Sequence, residues 1–129
     1  MVQTFSTPIE IRSTDIDIYD HVNSVAYFTY LETARIKTCF KDFFQDLTDK
    51  QIFTLVAHAE CDYKLPILFG DQLIVSVVLA RIGSSSFDLE YLLHDGAEKI
   101  YATARTTMVC FDNVKKVTVP VPECISKLA

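Results

Sequence analysis

From Ser24 to Phe44 the chain contains neither glycine nor proline, and shortly past that stretch its hydrophobic period changes from that of a helix to that of a strand. This switch calls for one long helix followed by sheet. Tyr27, Leu31 and Ala34 fall on one helical stripe, and Phe28, Ile36, Cys39 and Phe43 widen it. A stripe that broad predicts a helix enclosed by the rest of the fold, about 30 Å long at roughly 1.5 Å per residue. Asn23 or Ser24 offers an oxygen to the first free backbone N–H groups. Lys37 and Lys41 sit late, where the helix dipole favours cations. Glu32 and Arg35 can pair across one turn.

From Phe53 the odd positions are Phe53, Leu55, Ala57, Ala59, Cys61 and Tyr63, and polar residues fill most of the even ones up to Lys64. That predicts a half-exposed strand, ended by Pro66, which cannot donate to a ladder. Asp71–Ile82 reads as a central strand, apolar on both faces. Ser86–His94 alternates again, Asp95-Gly96 signals a hairpin, and Lys99–Phe111 is the last long strand. Pro8–Thr14 reads as a short first strand and Val117–Ala129 as an edge segment. Gly70, Gly83 and Gly96 punctuate the strands at equal spacing. The order predicts an α+β fold: one helix against an antiparallel sheet whose last four strands form a meander.

The chain has 129 residues, about one domain by length, and residues 1–129 read as a single unit. Its net charge of −5 argues against nucleic acid, which needs a basic surface. No apolar run is long enough to span a membrane. Met1–Phe5 shows no secretory pattern, and the four cysteines (Cys39, Cys61, Cys110 and Cys124) are widely spaced. The expectation is reduced thiols and a cytoplasmic protein. The glycines stand too far apart for a phosphate-cradling loop. No two histidines stand at metal spacing, so no metal is expected.

Asp15, Asp17, Asp20 and His21 make the densest cluster of ionisable groups, placed just before the helix. A helix start presents unpaired N–H groups and partial positive charge, which can polarise a carbonyl oxygen. A carboxylate beside it can act as general base or nucleophile. The plain alternative is that acidic residues favour helix starts and turns. Ser84, Ser85 and Ser86 follow Gly83 and read as turn residues, with no nucleophile motif around them. His58 and His94 have no partner in the sequence and read as surface or core histidines. For Glu32, a structural pair with Arg35 is the favoured reading.

The segment Arg12-Ser-Thr-Asp15-Ile-Asp17-Ile-Tyr-Asp20-His21-Val22-Asn23-Ser24 and its continuation through Tyr27, Tyr30, Glu32 and Arg35 closely resembles the opening motif of the 4-hydroxybenzoyl-CoA thioesterase-like family. The resemblance continues in Tyr63–Asp71, in Arg81–Phe87, at Tyr91 and in Ala104–Asp112. It implies the hot-dog fold, a long central helix wrapped by a five-stranded antiparallel sheet. It also implies an acyl-CoA thioesterase that needs no cofactor, the CoA thioester being the substrate. By position, Asp17 matches the family's catalytic carboxylate and the N–H near Ser24 the group that polarises the thioester carbonyl. His21 and Asn23 match residues that shape the site. Tyr27, Tyr30, Leu31 and Phe53 are candidates for closing the acyl pocket. Arg81, Ser84, Ser85, Ser86, Lys64 and Lys99 are candidates for the CoA end.

Asp20 departs from the family pattern, in which many relatives carry glycine. It puts another negative charge near Asp17 and asks a turn position of a residue less tolerant of positive φ. Ser84 and Ser85 depart where some relatives carry basic residues. The resemblance further implies a homodimer through the edge strand around Leu55–Tyr63, with His58 and Tyr63 reaching the Asp17 of the other subunit, and pairing of dimers into homotetramers. The alternatives are a non-catalytic acyl-thioester binding protein and an acyl-carrier-protein thioesterase. The acidic net charge weighs against docking an acidic carrier.

Overall fold

The computed structural model describes residues 3–129; of the N-terminal segment weighed above, Met1 and Val2 lie outside the described residues. Strand β1 (Thr4–Pro8) is followed by helix α1 (Ala26–Lys37), the short helix α2 (Phe44–Asp49) and strands β2 (Ile52–Tyr63), β3 (Ile74–Ile82), β4 (Ser86–His94) and β5 (Ile100–Asp112). The two-residue strand β6 (Val117–Thr118) and helix α3 (Glu123–Ser126) close the chain. The sheet runs β1-β3-β4-β5-β2, antiparallel throughout, with β6 pairing to β5. Period two explains the strands: Val75, Val77 and Leu79 face Leu89, Tyr91 and Leu93 on the buried side, while the residues between them face outward.

The helix is shorter than its sequence pattern. It ends at Lys37, giving about 18 Å at 1.5 Å per residue. The Thr38 hydroxyl donates to the Ala34 carbonyl at 2.7 Å, competing with the next helical turn. Phe40 then turns into the core, 6.2 Å from the Phe87 ring and 5.4 Å from Phe43. Tertiary packing of one aromatic overrides an unbroken local propensity. Glu32 and Arg35 do approach, at 3.9 Å. Phe28 and Ile36, expected in the buried stripe, are each 36% exposed, so one chain covers the helix on one side only.

The first strand lies earlier than expected, at Thr4–Pro8 rather than Pro8–Thr14. Past Pro8 the Arg12 N–H and guanidinium both bond the Asp15 carboxylate, which curls Ser13–Asp15 into a 3-10 turn. The four-strand meander is also corrected. Only β3, β4 and β5 meander; β2 lies on the far side of β5. The ten-residue link from Lys64 to Leu73 is too long for a tight hairpin. It buries Ile67 and Leu73 across the end of the sheet, while the N–H groups of Lys64 and Leu65 both donate to the Tyr101 carbonyl. The tail's strand is Val117–Thr118, continued by the Val119 N–H to the Cys110 carbonyl and the Val121 N–H to the Ser84 carbonyl, and α3 then buries Ile125.

Strand β2 is an outer strand, as the resemblance implies, with β1 at the other edge, but its odd positions do not share one face. The register against β5 shifts between Val56 and His58, so Ala57 is a bulge residue that moves the chain over by one. Ala59, Cys61 and Tyr63 oppose the buried Thr106, Ala104 and Ala102. Before the bulge it is Thr54 and Val56 that oppose the buried Cys110 and Met108. His58, Glu60 and Asp62 therefore share the outward face.

Candidate functional site

The chain from Asp15 to Val25 is folded by short-range bonds that its polar residues supply. Asp15 is only 5% exposed. Its carboxylate accepts from the Tyr30 hydroxyl at 2.7 Å and from the Arg12 N–H at 3.0 Å, and its carbonyl accepts from Asn23 N–H at 2.7 Å. Burial pushes the Asp15 carboxyl up, but the Arg12 N–H, the Tyr30 hydroxyl and the Arg12 guanidinium together hold it below the usual range. The same bond, added to burial, raises the Tyr30 phenol.

Asp17 sits on the loop this anchor fixes. Its N–H donates to the His21 carbonyl at 3.0 Å, and its carbonyl accepts from Asp20 N–H at 3.1 Å. Its carboxylate Oδ1 accepts from Tyr19 N–H at 2.9 Å, an Asx turn that fixes one oxygen and leaves the other free. Asp20 has φ 62°, so aspartate adopts the left-handed conformation that glycine would take most easily. Val22 N–H then donates to the Ile67 carbonyl at 2.8 Å, tying the loop to the Lys64–Leu73 link. Left-handed backbone is costly for a residue without a short polar side chain. Asp20→Ala is therefore expected to lower stability by about 1 kcal/mol and Asp20→Gly to lower it less. Thermal unfolding of the two variants measures this, and equal losses would contradict it.

The helix start is organised by Asn23. Its side-chain oxygen accepts from Val25 N–H at 2.8 Å and its carbonyl from Ala26 N–H at 2.9 Å. Among the described residues the Ser24 N–H has no acceptor. Tyr63 donates its hydroxyl to the Ser24 carbonyl at 2.9 Å, and its ring meets Tyr27 edge-on at 4.7 Å. Burial pushes the Tyr27 phenol up to about 12, so it stays neutral.

These residues enclose a cleft of about 510 Å³, lined by Asp17, His21, Ser24, Tyr27, Tyr63 and Lys64 together with Tyr19, Val22, Leu65 and Pro66. A space of that size suits a small ligand or part of a larger one. Asp17, with one carboxylate oxygen unbonded, and Ser24, whose N–H has no acceptor among the described residues, line the same space just ahead of α1. An attacking group and a donor for a developing oxyanion are the two parts acyl transfer requires.

Of the residues singled out from the sequence, Asp17, His21, Ser24, Tyr27 and Tyr63 share this cleft. Tyr63 belongs to it within the same chain, where the other subunit was expected to supply it. Asn23 lies behind the cleft as an organiser of the first turn. Tyr30 and Leu31 are in the core, Tyr30 bonded to Asp15. His58 stands on the outward face, 3.5 Å from Glu60. Arg81 is held by Asp88 at 3.0 Å and by Ser86 at 3.0 Å, and with Ser84, Ser85 and Ser86 occupies the opposite end of the sheet. Phe53 lines a separate groove beside α2. Tyr19 and Leu65 were not singled out. An Asp two residues ahead was a local signal for Tyr19, whereas only the tertiary fold brings Leu65 here.

Two other features bear on chemistry. His94 Nε2 lies 2.8 Å from Ser76 Oγ, but Gly96 N–H donates to His94 Nδ1. In the neutral ring the proton is then on Nε2, which donates to the serine and cannot act as its base. Among the described residues no group of three His, Cys, Asp or Glu side chains could hold a metal ion, and no helix is long and apolar enough to cross a membrane.

Comparison with known proteins adds the family. The thioesterase-like superfamily profile matches residues 11–128. The long-chain acyl-CoA thioesterase FadM of Escherichia coli (strain K12) is 31% identical over 108 residues, 82% of each chain. The protein YsmA of Bacillus subtilis (strain 168) is 34% identical over 89 residues, 69% of this chain and 60% of YsmA; the match thus spans less than two thirds of that relative. A thioesterase of Thermus thermophilus, solved with coenzyme A and zinc, superposes with a TM-score of 0.81 at 30% identity, over 96% of this chain and 90% of that one. The chain belongs to the thioesterase-like superfamily, as a hot-dog-fold protein of the thioester-hydrolase class.

Proposed function

We propose that this chain hydrolyses an acyl-CoA thioester to the free acid and CoA in the cleft beside Asp17. The observation that carries the reading is that Asp17 and Ser24, the latter with an N–H that has no acceptor among the described residues, line one cleft just ahead of α1. Asp17 either takes a proton from water as it attacks or attacks the carbonyl carbon itself. In both routes the carbonyl oxygen gains negative charge, which the Ser24 N–H and the positive helix end stabilise. The C–S bond then breaks and CoA leaves as a thiolate, a leaving group that needs no strong general acid; where Asp17 is the nucleophile, water then hydrolyses the Asp17–acyl anhydride, which releases the free acid and restores the carboxylate. The reaction requires neither a metal nor an organic cofactor. The names of FadM and of the coenzyme A-bound Thermus thioesterase support the substrate class. Four unpaired cysteines suit a reducing compartment such as the cytoplasm.

The working unit is a homodimer formed through β2, with dimers pairing into tetramers. Among the described residues β2 pairs with β5 alone, and its Leu55 and Val56 are exposed, 46% and 47% accessible. An edge that long and apolar invites another strand. The same pairing would bring the Arg81–Ser86 turn of a second copy to the sheet end that holds the cleft, where it can meet the CoA end of the substrate. Sedimentation is expected to give at least twice the chain mass of 14.6 kDa; a monomer at micromolar concentration would contradict the assembly.

The test of the reaction is thiol release from a panel of acyl-CoA and acyl-carrier-protein thioesters, run beside thermal unfolding with each ligand. Turnover of at least one acyl-CoA above that of the carrier-linked acyl group supports the proposal. Thermal stabilisation without thiol release would replace it with a binding protein. Preference for the carrier-linked thioester would change the substrate.

A further inference from the structure

We propose that the furrow between α1 and β2 is a binding site for a carboxylate at the far end of the substrate's acyl group, with Arg35 as its partner. The inference rests on the Asp17 cleft being the hydrolytic site, and it names the substrate class as monothioesters of dicarboxylic acids. The furrow, of about 170 Å³, is lined on the helix by Leu31, Glu32 and Arg35 and on the sheet by Val56, Ala59 and Thr106. Only 9% of the Arg35 side chain is exposed.

Arg35 is a buried cation whose donors are almost unused. A guanidinium carries several N–H donors and no acceptor. Among the described residues, one of them reaches the Tyr91 hydroxyl at 3.5 Å, the outer limit of a hydrogen bond. Another stands 3.9 Å from the Glu32 carboxylate, beyond that limit. Glu32 is 64% exposed, so water competes for it. Beside the guanidinium, the Tyr91 and Thr106 hydroxyls share one hydrogen bond at 2.7 Å. Each brings a proton and the bond uses one, so the other has no acceptor among the described residues. Burying such a group is costly unless an acceptor of opposite charge completes it. A carboxylate fits: it takes two parallel bonds from the guanidinium fork and carries the balancing charge. An alkyl end in the same place would desolvate the guanidinium without replacing its contacts.

The furrow lies where the far end of such an acyl group arrives. Cleft and furrow follow one seam between α1 and β2. On the helix, Tyr27 lines the cleft, and Leu31 and Arg35, four and eight residues on, line the furrow. At 1.5 Å per residue, Tyr27 and Arg35 are about 12 Å apart along the axis. Long helical side chains lean back toward the helix start, which shortens the span. On the strand, Tyr63 lines the cleft and Ala59 the furrow. Cys61 stands between them on the same face, the three opposing Ala102, Thr106 and Ala104 in the order Tyr63, Ala59, Cys61. A thioester carbonyl on the Ser24 N–H and a carboxylate on Arg35 are thus joined by a chain of about eight carbons.

The test compares two thioesters of one length that differ only at the far end, suberoyl-CoA and octanoyl-CoA, by the ratio of their kcat/KM values. The ratio is taken within each variant, so a loss of folded protein cancels from it. Wild type is expected to favour suberoyl-CoA. Arg35→Met keeps the bulk of the side chain and removes its charge, and is expected to lower the ratio by about tenfold or more. Arg35→Lys keeps the charge without the fork and is expected to fall between the two. Glu32→Gln removes the competing carboxylate and is expected to raise the ratio. A wild-type preference for octanoyl-CoA, a ratio unchanged in Arg35→Met, or a ratio lowered in Glu32→Gln would overturn the Arg35 site while leaving the hydrolytic reading in place. Absence of any acyl-CoA hydrolysis by the wild-type chain would overturn both.

Discussion

Asp17→Asn is expected to lower kcat for acyl-CoA hydrolysis by a factor of about 10²–10⁴, the usual cost of losing a general base, with little change in melting temperature. The structural reason for the second half is specific. The Asp17 side chain makes one bond that holds the loop, accepting from Tyr19 N–H, and an asparagine oxygen can accept it equally. The backbone bonds to His21 and Asp20 do not involve the side chain. What the amide lacks is the ability to take a proton from water or to attack a carbonyl carbon. KM should change less than kcat, since the Ser24 N–H and the cleft walls remain. More than about a tenth of wild-type kcat would remove Asp17 from the reaction. A large fall in melting temperature would make it a structural residue.

Asp15→Ala should show the opposite signature, a large loss of stability. The Asp15 carboxylate is buried and accepts bonds from the Tyr30 hydroxyl, the Arg12 N–H and the Arg12 guanidinium. Removing it leaves the buried Tyr30 hydroxyl without that acceptor, at about 1–3 kcal/mol, and forfeits a charge-assisted bond besides. The expected total is about 3 kcal/mol. The loop carrying Asp17 would lose its anchor, so activity should fall with stability.

The pH dependence follows from the lowered Asp15 pKa. A carboxylate whose folded pKa lies below its unfolded value stabilises the fold fully above the unfolded value, near 3.9, and progressively loses that contribution as pH falls through the folded value. Wild type should therefore lose stability on acidification below about pH 5 more steeply than Asp15→Ala. Denaturant melts at pH 7 and pH 3 measure both effects. A variant as stable as wild type at pH 7, or a gap that widens at pH 3, would contradict the role given to Asp15.

The two aspartates show what the sequence made legible. Asp17, His21 and Ser24 fall within one short segment ahead of a helix, so local spacing alone gathers them. That Asp15 is an anchor and Asp17 the exposed group is not local information. It depends on Tyr30 coming round one side of α1 to meet Asp15. Strand β4 matches its expected bounds, because its alternation is unbroken and its ends carry turn residues. The helical pattern outruns the helix because glycine and proline are absent from Thr38–Phe44 and the Thr38 hydroxyl on the Ala34 carbonyl is a weak local stop; Phe40 leaves the helix for a partner, Phe87, far along the chain. The place of β2 beside β5 is hidden for a similar reason. Period two says that a strand has an inner face but not which strand lies next to it. The bulge at Ala57 is invisible to period as well, and it divides one apparent apolar stripe between two faces.

The position of Arg81 is instructive in the same way. The resemblance offers it to the CoA end, and its charge suits a phosphate. In the structure its guanidinium is bonded to the buried Asp88 carboxylate, and it stands at the far end of the sheet from its own chain's Asp17. Only an assembly through β2 would bring it toward a cleft.

The central claim, that the Asp17 cleft holds the thioester with its carbonyl oxygen on the Ser24 N–H, is tested most directly by a crystal structure with a non-hydrolysable acyl-CoA analogue. The account predicts the carbonyl oxygen about 2.7–3.1 Å from Ser24 N, the adjacent carbon facing the free oxygen of Asp17, and the pantetheine arm leaving past Lys64 and Leu65. An analogue seated elsewhere on the chain, or one whose carbonyl oxygen takes another donor with Asp17 out of reach, would contradict it.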